Sequence, residues 1–131
     1  MAEPSEAESV ARAFLDAFAS ADLDALRGWM SDDFVALVTT SDGGTRTATA
    51  DDYVASVAAM DVPTAGLDLA LKDVTAIGPG QVLVMVEVHA SRRGRTLHNF
   101  SGQLATVRNG RITHLSMVDA RPEESDAFWS A

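Results

Sequence analysis

The stretch "TLHNFSGQLATVRNGRITHLSMVD" (residues 96–119) places two β-rich runs on either side of Asn109-Gly110. Asn-Gly is the strongest short hairpin signal, because a two-residue type I′ turn needs positive φ at both positions. The stretch therefore predicts two antiparallel strands. With Asn109-Gly110 as the loop, Arg108 pairs with Arg111 and Val107 with Ile112. Carried on in step, Leu104 pairs with Leu115, Gly102 with Met117 and Phe100 with Asp119. Opposed residues share a face, and faces alternate with period 2. One face then holds His98, Phe100, Gly102, Leu104, Leu115, Met117 and Asp119. The other holds Asn99, Ser101, Gln103, His114, Ser116 and Val118. The first set is the more apolar, so it is expected to face the core.

Working outward, "QVLVMVEVHAS" (residues 81–91) reads as a long strand ending at Arg93-Gly94. "LDLALKDVTAI" (residues 67–77) reads as another, ended by "GPG". If Arg93-Gly94 is also a two-residue loop, His89 pairs with His98 and Glu87 with Phe100. Glu87, His89, His98 and Asp119 would then lie on one face near one end of the sheet. A one-residue slip would turn Glu87 and His89 outward, because register sets the face.

The first half is helical at both ends. Ser5 with Glu8 is a capping-box pattern. Val10, Phe14 and Phe18 recur at i, i+4 behind it. Asp22 can cap a short second helix carrying Leu23, Leu26, Trp29 and Met30. "FVALVTT" (residues 34–40) and "RTAT" (residues 46–49) read as strands around a Gly-rich turn. Thr49 with Asp52 opens a third helix, closed by Pro63 and Gly66. Pro122, followed by Glu123 and Glu124, suits the first turn of a closing helix. Long strands joined by tight turns are antiparallel neighbours, and the helices must cover one of their faces. The expected fold is α+β: a curved, mixed and mostly antiparallel sheet wrapped on N-terminal helices, in a single domain over 1–131.

Composition narrows the function. The 131 residues are 47% hydrophobic, enough for a real core. There is no cysteine, which removes disulfides and thiolate chemistry together. With 19 acids against 10 bases the formal charge is −9, so nucleic acid and anionic membrane surfaces are poor partners. Arg92, Arg93 and Arg95 around Gly94 read as a solvated hairpin tip. No apolar run approaches the roughly 20 residues that span a bilayer. The N-terminus "MAEPSEAESV" lacks a basic start followed by an apolar block. A cytoplasmic location is expected.

The segments "FLDAFASADLDALRGWMSDDFV" (residues 14–35), "VRNGRITHLSMVDA" (residues 107–120) and "FWS" (residues 128–130) resemble the nuclear transport factor 2-like superfamily, and within it the SnoaL-like group. The first looks like the family's paired helices leading into the first strand, the second like its final hairpin. The resemblance implies a cone-shaped pocket between sheet and helices, and a homodimer through the outer sheet face. It argues against two activities of relatives. The epoxide-hydrolase type keeps an acid in the final strand where this chain has Met117, and its Arg-x-Asp partner is missing from "HNFSGQ". The steroid-isomerase type needs an acid in the first strand region, where "FVALVTT" has none, and Tyr53 is the only tyrosine.

On this reading the pocket binds a small, largely hydrophobic molecule. His98 and Asp119 are the candidate catalytic pair for polyketide-type cyclisation or isomerisation without a cofactor. A histidine beside a carboxylate is oriented and made more basic, as a general base requires. Asp119 fits a second role equally: bonding the backbone where the chain turns into the last helix. Glu87, His89, Phe100, Leu115, Met117, Tyr53 and Trp29 are candidate pocket residues. Two histidines and an acid are acceptable metal ligands, but their spacing is not diagnostic, and no metal is expected. The alternative is a non-catalytic ligand-binding or dimeric interaction module of the same fold.

Overall fold

The computed structural model describes residues 5–130. Residues 1–4, part of the stretch read above as lacking a secretion signal, and residue 131 lie outside them. The elements run α1 (Glu6–Ser20), α2 (Leu23–Gly28), β1 (Met30–Thr39), β2 (Thr45–Thr49), α3 (Ala50–Met60), α4 (Val62–Ala65), β3 (Asp68–Gly78), β4 (Gln81–Arg92), β5 (Arg95–Arg108), β6 (Arg111–Asp119) and α5 (Pro122–Ser130). No helix among the described residues is long and apolar enough to cross a membrane.

The caps form where the sequence placed them. Ser5 Oγ accepts from the Glu8 N–H, Asp22 Oδ1 from the Ala25 N–H, and Thr49 with Asp52 closes a full capping box. Each satisfies a backbone donor that a helix start otherwise leaves open. Both hairpin tips are two-residue turns with positive φ: Arg93 and Gly94 at 53° and 74°, Asn109 and Gly110 at 53° and 77°. Gly80 is held harder, since a Cβ there would lie 2.7 Å from the Val107 carbonyl oxygen.

The six strands form one open, curved sheet in the order β2-β1-β6-β5-β4-β3. All neighbours are antiparallel except β1 and β6. The helices lie on one face, where Phe14, Leu26, Met30, Phe34, Ile112 and Leu115 are fully buried. The architecture is the expected one, with β1 starting earlier, at Met30, than the apolar run suggested.

The expected register of β5 on β6 fails at one point. Val107 does pair with Ile112, but Thr106 pairs with His114, leaving Thr113 unopposed. That bulge shifts the rest by one: Ser101, not Phe100, is opposite Asp119. The cause is in β6 itself. Ile112 and Leu115 are 0% and 2% exposed, yet they are three residues apart, and a regular strand cannot point both inward. The bulge absorbs the extra residue. Leu115, Met117 and Asp119 still face inward. On β5, however, Leu97, Asn99, Ser101, Gln103, Ala105 and Val107 face the helices, while His98, Phe100, Gly102 and Leu104 face out.

Arg92 is also not a solvated tip residue. Its guanidinium donates to the carbonyls of Met60 (2.9 Å) and Trp129 (3.1 Å) and lies over the rings of Phe128 and Trp129. It fastens α5 to the sheet and to the end of α3.

Candidate functional site

Between the inner face of the sheet and α1, α3 and α5 lies a cavity of about 470 Å³. That is within the roughly 300–1,000 Å³ usual for small-molecule sites. Its wall is largely apolar, with Phe18, Val57, Val86, Val88, Leu97 and Trp129 among the contributors. Polar groups enter from Asn99, Ser101 and Gln103 along β5, from Thr39, Thr40, Ser41 and Arg46 around the β1–β2 turn, from Ser56 on α3, and from Asp119, Ser125 and Asp126 where β6 gives way to α5. Ser101 and Gln103 are 7% and 8% exposed, and the bond between them is long, 3.4 Å. Both therefore keep hydrogen-bonding capacity directed at the cavity.

Asp119 sits where β6 gives way to α5. The Asn99 amide donates to its Oδ1 at 2.6 Å, and the Ser125 side chain and Arg121 backbone also bond it. Burial nevertheless holds its carboxyl above the ordinary value of 3.8, with Glu123 adding to the rise and the three hydrogen bonds opposing it. Removing a carboxylate from water disfavours its charged form, and here that effect exceeds the hydrogen bonds. The backbone is fixed from the other side: the Asp119 N–H donates to Thr39 Oγ1 (3.3 Å), which donates to the Met117 carbonyl (3.1 Å).

Asn99, 1% exposed, organises this corner. Besides Asp119, its amide donates to Ser125 Oγ (2.7 Å) and the Arg121 carbonyl (3.1 Å), and its oxygen accepts from the Arg121 N–H (3.1 Å). One side chain on β5 thus ties the end of β6 to the start of α5. Tyr53 lines the cavity from α3 and packs among Phe14, Phe18 and Phe34. Burial pushes its phenol above the usual 10.0, so it stays protonated at neutral pH.

Of the residues read from the sequence, Asp119, Met117 and Tyr53 come together on the cavity wall. Leu115 is packed in the core, and Trp29 lies at the C-cap of α2 against the core, its carbonyl accepting from the Ile112 N–H (2.7 Å). The pairing of His89 with His98 and Glu87 with Phe100 is as expected, but these four residues stand on the outer face. The bulge is the reason, and it separates His98 from Asp119 by the thickness of the sheet. The catalytic pair expected from the sequence does not meet. On the outer face, hydrogen bonds from His98 and then Lys72 hold the Glu87 carboxyl down at about 2.

Asn99, Ser101 and Gln103 were not read as site residues, because polar residues on a strand were assigned to the solvent side; Ser125, on α5, carried no signal of its own. The signal lay in the three-residue spacing of Ile112 and Leu115 and in the two-residue spacing of Ala105 and Val107.

The family model described as a SnoaL-like domain matches residues 11–115. The chain spans about half the length of the curated relatives it matches. One of these, an uncharacterised protein of Mycobacterium tuberculosis, is 38% identical over 64 residues, 49% of each chain. Among solved structures, Bal32a from a soil-derived mobile gene cassette aligns with a TM-score of 0.78 at 19% identity, covering 95% of this chain and 96% of that one. An epoxide hydrolase of the LEH-like type from M. tuberculosis aligns at 0.74 and 19%, over 95% and 90%. The proposed SnoaL-like polyketide cyclase of Jannaschia sp. CCS1 aligns at 0.77 and 13%, over 100% and 99%. At these identities the structures share the fold.

Proposed function

Because the chain belongs to the SnoaL-like domain family, we propose that its cavity binds a small, largely apolar, carbonyl-bearing molecule and that Asp119 moves a proton on it. The observation that carries this reading is a half-buried carboxyl group, its pKa raised, set into an otherwise mostly apolar wall. A carboxylate made more basic by burial is suited to take a proton from a carbon next to a carbonyl. The same carboxylic acid then returns that proton to the rearranged product, as in a cyclase or isomerase. Ser101, Gln103 and Arg46 supply donors for the oxygen on which charge develops. The histidines play no part in this scheme. The Jannaschia neighbour is named as a proposed SnoaL-like polyketide cyclase, and the scheme here requires no group beyond the chain's own residues.

A second reading, binding without turnover, draws on the same residue. Asp119 already engages Asn99, Ser125 and Arg121, and those bonds help to hold α5 in place beside Arg92 and Phe128.

Trp129 on the cavity wall provides the test for binding. In a Trp29→Phe background, its fluorescence should change saturably with small aromatic hydroxyquinones. Met117→Trp, which fills the cavity, should abolish saturation followed by ligand-observed NMR. Binding that survives Met117→Trp would place the ligand elsewhere and refute the proposal.

The outer face of the sheet carries Leu37, Met85, Phe100 and Val118, all exposed. We read this strip as the contact surface of a homodimer.

A further inference from the structure

Outside the cavity, one cluster of side chains is arranged for a ligand and has no part in the reading above. It stands on the outer face of β4 and β5, toward the Arg93-Gly94 turn. His89 and His98 are direct cross-strand partners, and Glu87 is two residues before His89, so all three point the same way. The imidazole rings are stacked, with centroids 4.4 Å apart and planes within 11°. Both Nε2 atoms converge on one atom, Glu87 Oε2, at 2.6 Å from His98 and 3.3 Å from His89. One donor atom from each residue fits within 4.8 Å of the other two.

We propose that Glu87, His89 and His98 form a binding site for a divalent transition ion, zinc being the best match. Two imidazole nitrogens and one carboxylate oxygen are borderline donors that suit zinc, cobalt or nickel, whereas calcium and magnesium take oxygen sets. Metal–ligand bonds of about 2.0–2.2 Å put donors in a tetrahedral set roughly 3.3–3.6 Å apart, and the three donor atoms here already lie within 4.8 Å of one another. The sheet provides the rigidity, since the three Cα positions belong to one antiparallel ladder.

Two further features fit. Lys72 Nζ holds the other carboxylate oxygen, Oε1, at 3.0 Å and so fixes the orientation that leaves Oε2 for the ion. Its charge opposes a cation, which places the affinity below that of buried structural zinc sites. In the single chain the histidine side chains are 47% and 52% exposed, which leaves an ion access and a fourth position for water; the site borders Phe100, on the edge of the proposed dimer strip. The expectation of no metal rested on the undiagnostic spacing of these residues along the chain. Their actual place, on the opposite face of the sheet from Asp119, makes the site independent of the cavity's function.

The test uses full-length, tag-free protein stripped with chelator. Cobalt(II) is titrated and followed by its visible absorption, and zinc by competition with a chromophoric chelator. One ion should bind per chain. His89→Ala and His98→Ala should each weaken binding by about 100-fold or more, at or above the top of the roughly 10–100-fold usual for losing a residue behind the ligands. His114→Ala, which removes the third histidine of the chain, should change nothing. All three positions are partly solvent-exposed, so thermal unfolding of the metal-free variants should match the wild type and rule out misfolding. Absence of saturable binding in the wild type, or binding undiminished in both His89→Ala and His98→Ala, would overturn the proposal.

Discussion

Replacing Asn99 by leucine keeps a side chain of similar bulk and removes the amide that joins β5, β6 and α5. The Asn99–Asp119 bond, at 2.6 Å to a half-buried carboxyl, is charge-assisted when Asp119 is ionised, and such bonds contribute about 1.5–3 kcal/mol. The Arg121 N–H loses its acceptor at the same time. Arg121 is exposed, so water can replace that partner, and the loss there is about 1 kcal/mol. The expected destabilisation is about 3 kcal/mol at neutral pH. For a chain of this length that is a fall in Tm of roughly 10 °C.

The pH dependence makes the prediction specific. Asp119 has a raised folded-state pKa, so its contribution to stability is full below the ordinary value of 3.8 and is lost as pH rises through the folded value. Asn99 is one of the groups restraining that rise. Without it the folded value climbs further, and the loss on ionisation grows. The gap between wild type and Asn99→Leu should therefore be small near pH 4 and widen to its full size by about pH 7. Urea unfolding followed by tryptophan fluorescence at several pH values measures it. A gap below about 1 kcal/mol, or one that does not change with pH, would refute the assignment of Asn99 to an ionised Asp119.

Asp119→Asn should show the converse, gaining on the wild type as pH rises from about 4 to about 7, in the same urea series. Gly80→Ala combines a left-handed backbone, φ 73°, with a Cβ 2.7 Å from the Val107 oxygen, and should cost more than the ~1–2 kcal/mol of conformation alone. Gly43→Ala, at φ 84° with open space around it, should cost only the conformational part, which chemical unfolding of the pair will separate. Phe128→Ala removes the buried anchor of α5, 4% exposed, and should cost about 3 kcal/mol. Hydrogen exchange should then show lost protection across residues 122–130. Val118→Asp, on the exposed outer strip, should halve the mass seen by light scattering from twice 13.8 kDa, and an unchanged mass would remove that strip from the interface.

The fold was legible because its signals are local. Asn109-Gly110 and Arg93-Gly94 each fix a turn within two residues, and Ser5, Asp22 and Thr49 each cap a helix within three. The site was only half legible, because its residues are placed by register carried many residues from the turn. Counting back from Asn109-Gly110 gave the right partners as far as Ile112. One unopposed threonine, Thr113, then reversed the face of every β5 residue relative to β6. Asp119 stayed inward because the β6 pattern beyond the bulge, Leu115-Met117-Asp119, was read directly. His98 was lost to the outer face because its placement depended on the pairing. Asn99 was missed for a different reason: a fully buried amide looks like a surface residue until its partners Asp119, Arg121 and Ser125, 20 to 26 positions away, are known.

The proton-transfer role of Asp119 has a direct measurement. A methyl ketone carried on a small aromatic ring is incubated with the protein in deuterium oxide, and loss of its α-proton signal is followed by NMR. The wild type should accelerate exchange above buffer, saturably in ketone, and Asp119→Asn should lose about 100-fold or more of that acceleration while still binding. His98→Ala should exchange at the wild-type rate. Exchange that persists in Asp119→Asn, or fails in His98→Ala, would contradict a carboxylate acting from the inner face of the sheet.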